Sequence, residues 1–388
     1  MKEYKIAKGW ALFIYVAGSL MIALFTFLPI YGLLKSDDDM VLFFGIAAIP
    51  MIILMTIAIF DAAKSKIIIT NTSIGKRSLF TNRDLPLSEV SGFRTDDKYT
   101  YIETKSKAYK RIRFGQYFEN KQEIFEWLYS NFQDLNEVNK EKETQEILSN
   151  DEYGRTVEER EEKLGVAKNV ALGFNVFGGG VGAYTLFITA PYELSIILSI
   201  ITPILAILVL PFFKGLIRLN ENKESAYPSI MVAIVLPSIG LLVRAVFDFN
   251  IYDYSNLWGP LLVLLLILIG GAVAVAHKEF DLKTAKGIGA LFGISTILLL
   301  YSGGVIITTN CVYDESEPVA YRAEIIQKMK HTGKTTTYKF ELTPWGDQIE
   351  PETVTVSEDF YDQMEAGNTV NVYYLKGYLD IPWVIVTE

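Results

Sequence analysis

The sequence contains little of the chemistry that metal sites, disulfide frameworks and most active sites need. It has one cysteine and two histidines among 388 residues. A single cysteine, Cys311, forms neither an intrachain disulfide nor a thiolate zinc site. No G-x-S-x-G, Walker or G-x-G-x-x-G motif stands between a strand and a helix, where its chemistry would require it. These absences argue against the common enzyme classes, so we expect a protein without catalytic residues, cofactor or metal.

Charged residues are also missing from several long stretches, and this absence predicts the class of protein. Half of the chain is hydrophobic. A charge-free window of about 20 residues has the helix length needed to cross about 30 Å of hydrocarbon. The alternative, apolar core helices of a soluble protein, would need a polar stripe along each helix, and only the fifth run contains a charge, Arg244. We expect an α-helical integral membrane protein with about seven transmembrane helices: Trp10–Leu34, Val41–Phe60, Val170–Ala190, Leu194–Phe213, Tyr227–Phe247, Leu257–Ala276 and Ile288–Thr308.

Lysine and arginine concentrate in alternate loops, which predicts the orientation of the helices. The loops on one side hold Lys2, Lys5, Lys8, Lys64, Lys66, Lys214, Arg218, Lys223, Lys278, Lys283 and Lys286. The loops on the other side, "KSDDD", "APYE" and "FDFNIYDYSN", hold one lysine. Because positively charged loops stay in the cytoplasm, we expect a multi-pass protein of the cell membrane with a cytoplasmic N-terminus and an extracytoplasmic C-terminus. His277 and His331 then lie on opposite sides of the bilayer and cannot share a metal, whereas Cys311 is placed either for an intermolecular bridge or as a free thiol.

A polar β-rich insertion, residues 62–136, separates the first two helices from the other five. Its short runs "KIIIT", "KRSLF", "EVSGFR", "YTYIET" and "YKRIRF" are bounded by turn residues and predict about five strands. The segment "NKQEIFEWLYSNFQDL" follows with apolar residues at helical spacing, including Ile124 and Leu128, and begins with a possible capping box of Asn120 and Glu123. We predict a small sheet closed by a C-terminal helix that folds as an autonomous domain.

The order of these segments is similar to a known family. The run "IIIT…SIGKRSLFTNRDLPLSEVSGF", then a strand pair and a helix, resembles the bacterial pleckstrin-homology-like (PH-like) domain over about residues 64–135. The family has seven strands where we find about five. The resemblance implies a cytoplasmic α+β module attached to a short transmembrane hairpin in a bacterial protein, and it implies no activity, because the family is mostly of unknown function.

Basic residues in this insertion raise the question of lipid binding. Between Lys64 and Asp134 there are thirteen Lys or Arg against nine Asp or Glu, and five of the cations lie between residues 105 and 113. A basic cluster facing an anionic leaflet gains about 1 kcal/mol per charge, which makes Lys110, Arg111 and Arg113 candidate lipid-binding residues. The alternative is a solvated hairpin, and we favour it because strand alternation puts Arg111 and Arg113 on the face opposite Lys110.

Residues 137–168 form a charged connector before the third predicted membrane helix. The segment 136–168 carries ten acids and six bases. The run "TVEEREEKLG" begins with a Thr156/Glu159 capping box and predicts a solvated helix that leads towards the membrane.

The five-helix bundle, residues 169–309, offers few residues for transport. Ionisable residues inside a membrane are costly and are functional candidates by default. Only Arg244 qualifies, and snorkelling with an ion pair to Asp248 four residues later explains it without any substrate, which is the interpretation we favour. Asn175 is a weaker candidate in the glycine-rich third helix. The pairs Gly178-x-x-x-Gly182 and Gly289-x-x-x-Gly293 predict close helix packing rather than a binding site.

The tail, residues 310–388, predicts a second β module. Its five β-rich runs, with a short helix before the fourth, indicate a small barrel of SH3-like or OB-like kind. The stretches "AYRAEI" and "AGNTVNVYYLKGY" resemble an uncharacterised family of small extracytoplasmic domains that follow membrane helices. From residue 312 onwards there are fourteen acids against six Lys or Arg, which argues against a nucleic-acid partner.

Together these features favour a non-enzymatic membrane protein that links a cytoplasmic PH-like module to an extracytoplasmic β module, as a scaffold or envelope interaction protein. Its expected partners are the lipid bilayer, with anionic head groups as a possible ligand, and other proteins or a second copy of the chain. The alternative is a transporter or channel with its path in the five-helix bundle; a membrane enzyme is the least favoured. The sequence names no ligand and no transported species.

Overall fold

The computed structural model describes residues 1–35, 38–188, 190–222, 224–332, 336–346 and 348–388, with the backbone alone at 38–43 and 286. The chain forms two compact units: residues 1–145 with 223–226, and residues 146–222 with 227–388. Several residues used in the sequence analysis lie outside the described part: Asp37 and Ser36 of "KSDDD", Thr189 of the third run, Lys223, Gly333 and Lys334 of the first tail turn, and Asp347.

The first unit begins with a strand and a hairpin of two apolar helices. Strand β1 is Lys2–Lys5, helix α1 is Lys8–Lys35 and helix α2 is Asp38–Lys64. The two helices pack closely, because a Cβ added at Gly18 would lie 3.0 Å from the side chain of Ile59.

The described part of this unit contains seven strands in two antiparallel sheets, where the sequence analysis expected about five within residues 62–136. The first sheet has the order β1-β2-β3-β4, and the second has the order β5-β6-β7. Besides β1, the strands are β2 (Lys66–Ile69), β3 (Ser73–Arg77), β4 (Asn82–Pro86), β5 (Val90–Thr95), β6 (Tyr99–Thr104) and β7 (Ile112–Gly115). The predicted strand "KRSLF" is right only at Lys76 and Arg77, the last residues of β3, since Ser78–Phe80 forms the turn between β3 and β4.

Strand β1 connects the two sheets. Lys5 pairs with Lys66 of β2 on one edge. On its other side, the Lys5 carbonyl accepts the N–H of Glu119 at 2.8 Å, and the N–H of Ala7 bonds the carbonyl of Tyr117 at 2.8 Å. The core of the first unit therefore includes a segment that precedes the apolar hairpin of α1 and α2 and lies outside the predicted domain 62–136.

Helix α3 (Lys121–Asn131) covers the core with its apolar face. Ile124 and Leu128 are buried against the strands, as the helical spacing predicts. The predicted Asn120/Glu123 capping box is wrong: Asn120 has φ 50°, its side chain makes no cap bond, and the Glu123 carboxylate bonds Lys2 instead. The shared core consists of Tyr4, Ile67, Ile69, Ile74, Leu85, Val90, Phe93, Ile102, Ile112, Phe114, Phe118, Ile124 and Leu128.

The charged connector forms two helices. Helix α4 is Leu135–Ser149, and after a 3-10 turn helix α5 runs without interruption over Val157–Phe187. The predicted linker helix and third membrane helix are thus one helix of 31 residues. Thr156 caps it as predicted, accepting the Glu159 N–H at 3.2 Å. The Glu159 carboxylate accepts the N–H of Arg155 rather than that of Thr156.

Four further helices complete the second unit's bundle: α6 (Tyr192–Val209, extended by a 3-10 turn), α7 (Met231–Phe247), α8 (Trp258–Ala276) and α9 (Ala285–Val312). In the described part of the chain, six helices are long and apolar enough to cross a membrane. They are Lys8–Lys35, Phe44–Lys64, Val157–Phe187, Tyr192–Phe213, Trp258–Ala276 and Gly287–Val312. The remaining predicted span, Tyr227–Phe247, is a shorter apolar helix of 17 residues because it begins only at Met231.

Glycines allow α5 and α7 to pack at close range. A Cβ at Gly178 would overlap Ala233, and one at Gly182 would lie 2.7 Å from Leu236. The predicted role of this glycine pair is confirmed. For Gly289 and Gly293 the prediction is wrong, since no described atom lies within 4 Å of a Cβ at either position.

The tail folds into a six-stranded, nearly closed antiparallel sheet with the order β11-β10-β9-β12-β13-β8. Five strands come from the tail, and helix α10 (Glu358–Gln363) precedes the fourth of them, as predicted. They are β9 (Val319–Thr332), β10 (Thr336–Leu342), β11 (Glu352–Val356), β12 (Thr369–Leu375) and β13 (Trp383–Thr387). The sixth strand, β8 (Asn250–Ile251), belongs to the loop between α7 and α8 and was not predicted.

Candidate functional site

The strongest candidate site in the first unit is a cleft of about 230 Å³ between the β3–β4 hairpin and β7. We call it the basic cleft. Its lining residues are Lys76, Thr81, Arg83, Arg111, Ile112 and Arg113. Four of the six are cations and none is an acid, so the cleft concentrates positive charge.

Two of the cations are held in place by backbone carbonyls of β7 and the residue before it. Lys76 Nζ donates to the Arg113 carbonyl at 2.8 Å, and Arg83 Nη1 donates to the Arg111 carbonyl at 2.9 Å. Lys76 and Arg83 are also direct cross-strand partners in the hairpin. Like charges directly opposite each other destabilise a sheet, and the two carbonyl contacts compensate for this pairing.

The other two cations are positioned by tyrosine rings of β6. The guanidinium of Arg111 lies 4.9 Å from the ring centre of Tyr101, and that of Arg113 lies 4.6 Å from the ring centre of Tyr99. Arg111 also forms an ion pair with Glu103 at 3.3 Å. Stacking on an aromatic face attracts a cation and restricts its side chain, so both guanidinium groups have a limited range of positions.

The pKa of the Lys76 amine reports how crowded the cleft is. Burial lowers this pKa, the Asp61 carboxylate raises it, and the neighbouring charges of Arg113 and Arg83 lower it again, so that the result lies below the ordinary lysine value. An anion in the cleft would offset the repulsion among these cations and raise the pKa of the Lys76 amine.

The structure brings only part of the predicted lipid-binding set together. Arg111 and Arg113 line the basic cleft, whereas Lys110 is exposed and is not among its lining residues. Lys76 and Arg83 were missed, although their positions in a hairpin, opposite each other and of the same sign, carried a signal. Within the described residues, the cleft is thus assembled from two segments that are about 30 positions apart in sequence.

Arg244, the first transport candidate, lies in a network at the end of α5. Its Nε donates to the Thr185 carbonyl at 2.8 Å and its Nη2 to the Leu186 carbonyl at 2.6 Å. The predicted pair with Asp248 is present at 3.4 Å, and the Tyr192 hydroxyl donates to that carboxylate at 2.8 Å. The last carbonyls of a helix have no intrahelical partner, so the guanidinium caps α5.

Asn175, the other transport candidate, bonds the start of α7 and the loop residue Ser229 before it. Its amide donates to the Ser229 carbonyl at 2.7 Å and accepts the N–H of Ala233 at 3.2 Å. Asn175 therefore contacts the start of α7, whereas Arg244 lies near the end of the same helix, which is about 25 Å long at 1.5 Å per residue. The three predicted residues do not converge on one site.

The Arg244 network predicts that lysine cannot replace arginine. A lysine reaches fewer acceptors and lacks the planar fork that bonds two carbonyls and a carboxylate together. We expect Arg244→Lys to lower the unfolding free energy by about 1 to 3 kcal/mol, because buried carbonyls lose their donors. Thermal unfolding in detergent measures this loss, with Arg155→Lys at an exposed position as the control. Equal melting temperatures for both variants would show that the two carbonyl bonds are dispensable.

A second group of polar contacts joins the barrel to the end of α9. Asn310 is fully buried, and its amide donates to the Ile381 carbonyl at 2.8 Å. The same side chain accepts the N–H of Leu379 at 2.9 Å, and its backbone carbonyl accepts the N–H of Tyr378 at 3.0 Å. The side chain also accepts the N–H of Ile381 at 3.4 Å, so one residue of the helix satisfies four backbone groups of the loop before β13.

Asp314 holds the same loop two residues beyond α9. Its carboxylate accepts the indole N–H of Trp383 at 2.8 Å and the N–H groups of Gly377 and Ser316, each at 2.9 Å. Burial raises the pKa of this carboxyl, but the hydrogen bonds from Ser316, Trp383 and Gly377 outweigh it and hold the pKa below its usual value. Asn310 and Asp314 together form what we call the barrel clamp.

Asn250 of β8 bridges the gap between β8 and β11, the two edge strands of the six-stranded sheet. β8 pairs with β13 through Asn250 and Val384. On its other side, the Asn250 amide donates to the Thr355 carbonyl at 3.0 Å and accepts the N–H of Thr355 at 3.1 Å. The side chain therefore substitutes for a strand pair and brings the sheet close to closure.

No group of three or more His, Cys, Asp or Glu side chains in the described part of the chain is arranged to hold a metal ion. Cys311 is buried, so its thiol is not presented to a partner molecule. The chain matches no family model, no curated protein and no solved structure.

Proposed function

We propose that this protein is a non-enzymatic, multi-pass scaffold of the cell membrane. In this proposal the first unit carries a cytoplasmic PH-like module and the second unit presents an extracytoplasmic barrel to partner proteins. The observation that carries the proposal is the barrel clamp together with β8.

The clamp fixes the barrel on its own helices. A domain that only needs to be near a membrane is served by a flexible linker. Here the Asn310 and Asp314 side chains bond the loop before β13, and the loop between α7 and α8 supplies β8 to the sheet. Such an attachment sets the direction in which the barrel surface faces, which is what a scaffold requires and what a tethered domain does not.

The PH-like part of the proposal is supported by the strand arrangement of the first unit. The described part of the unit has seven antiparallel strands, the number that the family has, followed by a helix that packs on the core. The sequence analysis found fewer strands because β1 lies before the apolar hairpin and because β4, with the sequence "NRDLP", was not predicted as a strand. The transport alternative receives no such support, since Arg244 and Asn175 bond the ends of helices.

The scaffold proposal predicts that partner binding depends on the clamp. We expect proteins that co-purify with the wild-type chain from native membranes to be lost from an Asp314→Ala variant produced at the same level. Asp380→Asn, which removes the charge of an exposed ion pair with Lys376 and tolerates the left-handed backbone of this residue (φ 59°), is the matched control and should retain them. An unchanged set of partners in the Asp314 variant would contradict the proposal. Solute flux through reconstituted wild-type protein would favour the transport alternative.

The proposed orientation is tested by thiol labelling in intact cells. In a Cys311→Ser background, Ala366→Cys on the barrel should react with a membrane-impermeant reagent, and Ser106→Cys in the β6–β7 loop should not. Both positions are exposed, so accessibility to water does not distinguish them. Labelling of Ser106→Cys alone would reverse the topology.

A further inference from the structure

The basic cleft has more positive charge than its surroundings compensate. In the described part of the chain, only Arg111 among its four cations has a carboxylate within ion-pair distance, and that partner, Glu103, is not a lining residue. Asp61 acts on Lys76 electrostatically, but its Oδ1 already accepts the N–H of Leu79 at 2.9 Å. The cleft therefore has a deficit of negative charge.

The cations keep donors that can reach a ligand. Lys76 and Arg83 each use one hydrogen-bond donor on a backbone carbonyl. A lysine has three donors and an arginine has five. Because the fixed contacts and the tyrosine rings restrict the side chains, less entropy is lost when these remaining donors bind an anion.

The size and polarity of the cleft limit the class of anion. A space of about 230 Å³ whose lining is mainly Lys and Arg suits a phosphoryl group with a small substituent. Arginine favours phosphate because its planar fork matches two oxygens at once. A phosphate monoester carries between −1.5 and −2 charges near neutral pH, so it balances more of the cleft charge than a diester with one charge.

We propose that the basic cleft, formed by Lys76, Arg83, Arg111 and Arg113, binds the dianionic phosphoryl group of a phosphate monoester. The site goes beyond the scaffold proposal and does not depend on it. The monoester has two sources, a soluble phosphate compound and a lipid such as phosphatidic acid.

The surroundings of the cleft place a lipid source within reach. The turn between β3 and β4 is joined to the last residues of α2 by the bond from Leu79 to Asp61. Helix α2 is apolar enough to cross a membrane, and Phe80 at the same turn is 76% exposed. An exposed aromatic residue beside a membrane helix and a cationic cleft is the arrangement that an interfacial head group would meet.

The test uses the full chain in nanodiscs of phosphatidylcholine. In the first arm, inorganic phosphate and glycerol phosphate are titrated, and in the second arm the nanodiscs also contain phosphatidic acid or, separately, phosphatidylglycerol. Thermal unfolding gives the apparent affinity, and hydrogen exchange of residues 76–83 and 111–115 reports binding at the cleft itself. We expect protection by a monoester and much less by phosphatidylglycerol.

Three variants assign the binding to the cleft. Arg83→Gln and Arg113→Gln should each weaken binding roughly tenfold or more, because each loses a charge-assisted hydrogen bond. Lys76→Met should do the same while preserving the volume of the side chain. Lys110→Gln is the matched control, since it removes a nearby exposed charge outside the lining residues and should bind as the wild type does.

Each outcome decides the proposal. Response to the soluble monoesters alone assigns a metabolite, and response to phosphatidic acid alone assigns a lipid head group. Equal weakening by Lys110→Gln and Arg113→Gln would mean that the protein responds to general surface charge, which overturns a built site. Absence of any response in the wild type, or equal protection by phosphatidylglycerol and phosphatidic acid, overturns the monoester proposal.

Discussion

Residues 63–136, expressed alone, are expected to remain unfolded, whereas residues 1–7 joined by a short Gly/Ser linker to residues 65–136 are expected to fold. The linker replaces the membrane hairpin at no cost in geometry, because Lys5 and Lys66 are neighbouring partners in adjacent strands. Circular dichroism and the cooperativity of urea unfolding distinguish the two fragments.

The physical reason is that β1 contributes to both the core and the sheet edges. Tyr4 is 3% exposed and belongs to the core of the first unit. Removing a buried aromatic side chain costs about 3 to 5 kcal/mol, which is a large part of the 5 to 15 kcal/mol that stabilises an ordinary domain. Without β1, strand β2 and the 117–119 segment also lose their hydrogen-bonding partner.

Two variants of the joined fragment serve as controls. Leu128→Asp should unfold it, since the leucine is fully buried and an unpaired carboxylate there costs several kcal/mol. Lys107→Ala, on the exposed β6–β7 loop, should leave its unfolding unchanged. Equally cooperative unfolding of residues 63–136 without β1 would show that the core does not need Tyr4.

Local patterns predicted most of this unit, and two of the misses, β1 and part of the basic cleft, share a cause. β2, β6 and the apolar face of α3 follow from alternation or helical spacing within a few residues. β1 has the sequence "KEYK", with a single apolar residue, and its partner strand follows about 60 residues later, so periodicity within the segment carries almost no signal. The predicted lipid-binding set lacked Lys76 and Arg83 for the same reason. These two residues meet Arg111 and Arg113 only through the pairing of distant segments.

Within the second unit, the limits of the helices were harder to predict than their existence. The charged residues 157–168 suggested a separate solvated helix, but nothing in the sequence ends a helix there, and α5 continues to Phe187. The sequence analysis explained the charge of Arg244 by an ion pair with Asp248, four residues later. The carbonyls that Arg244 caps belong to another helix, and their position depends on how α5 and α7 pack rather than on spacing along the chain.

In the tail, too, the sequence predicted the longer elements and missed a short one that pairs with a distant segment. The five strands and the helix before the fourth were predicted from alternation and turn residues, and the structure has them at those places. β8 has only two residues, in a loop that the sequence assigns to the membrane bundle. Two residues are too short for any alternation, so the contribution of that loop to the barrel appears only in the folded chain.

Asn310→Ala is expected to loosen the attachment of the barrel and to lower the unfolding free energy by about 2 to 6 kcal/mol. The substitution removes the hydrogen-bond partner of the Ile381 carbonyl and that of the Leu379 N–H. Each buried group that is left unsatisfied costs about 1 to 3 kcal/mol. Melting in detergent measures the total loss. Hydrogen exchange locates it, with faster exchange expected in residues 377–384 and little change in α5 and α7.

The matched control is Asn371→Ala on β12. The Asn371 side chain donates to the carbonyl of Glu388. This bond is exposed and lies away from α9, so we expect a small effect on the unfolding free energy. If Asn310→Ala also melted like the wild type, with unchanged exchange at 377–384, the hydrophobic contacts around Trp383 and Ile381 would suffice to hold the loop. The clamp would then be redundant, and a fixed barrel orientation would have to rest on β8 and the bridge from Asn250 to Thr355.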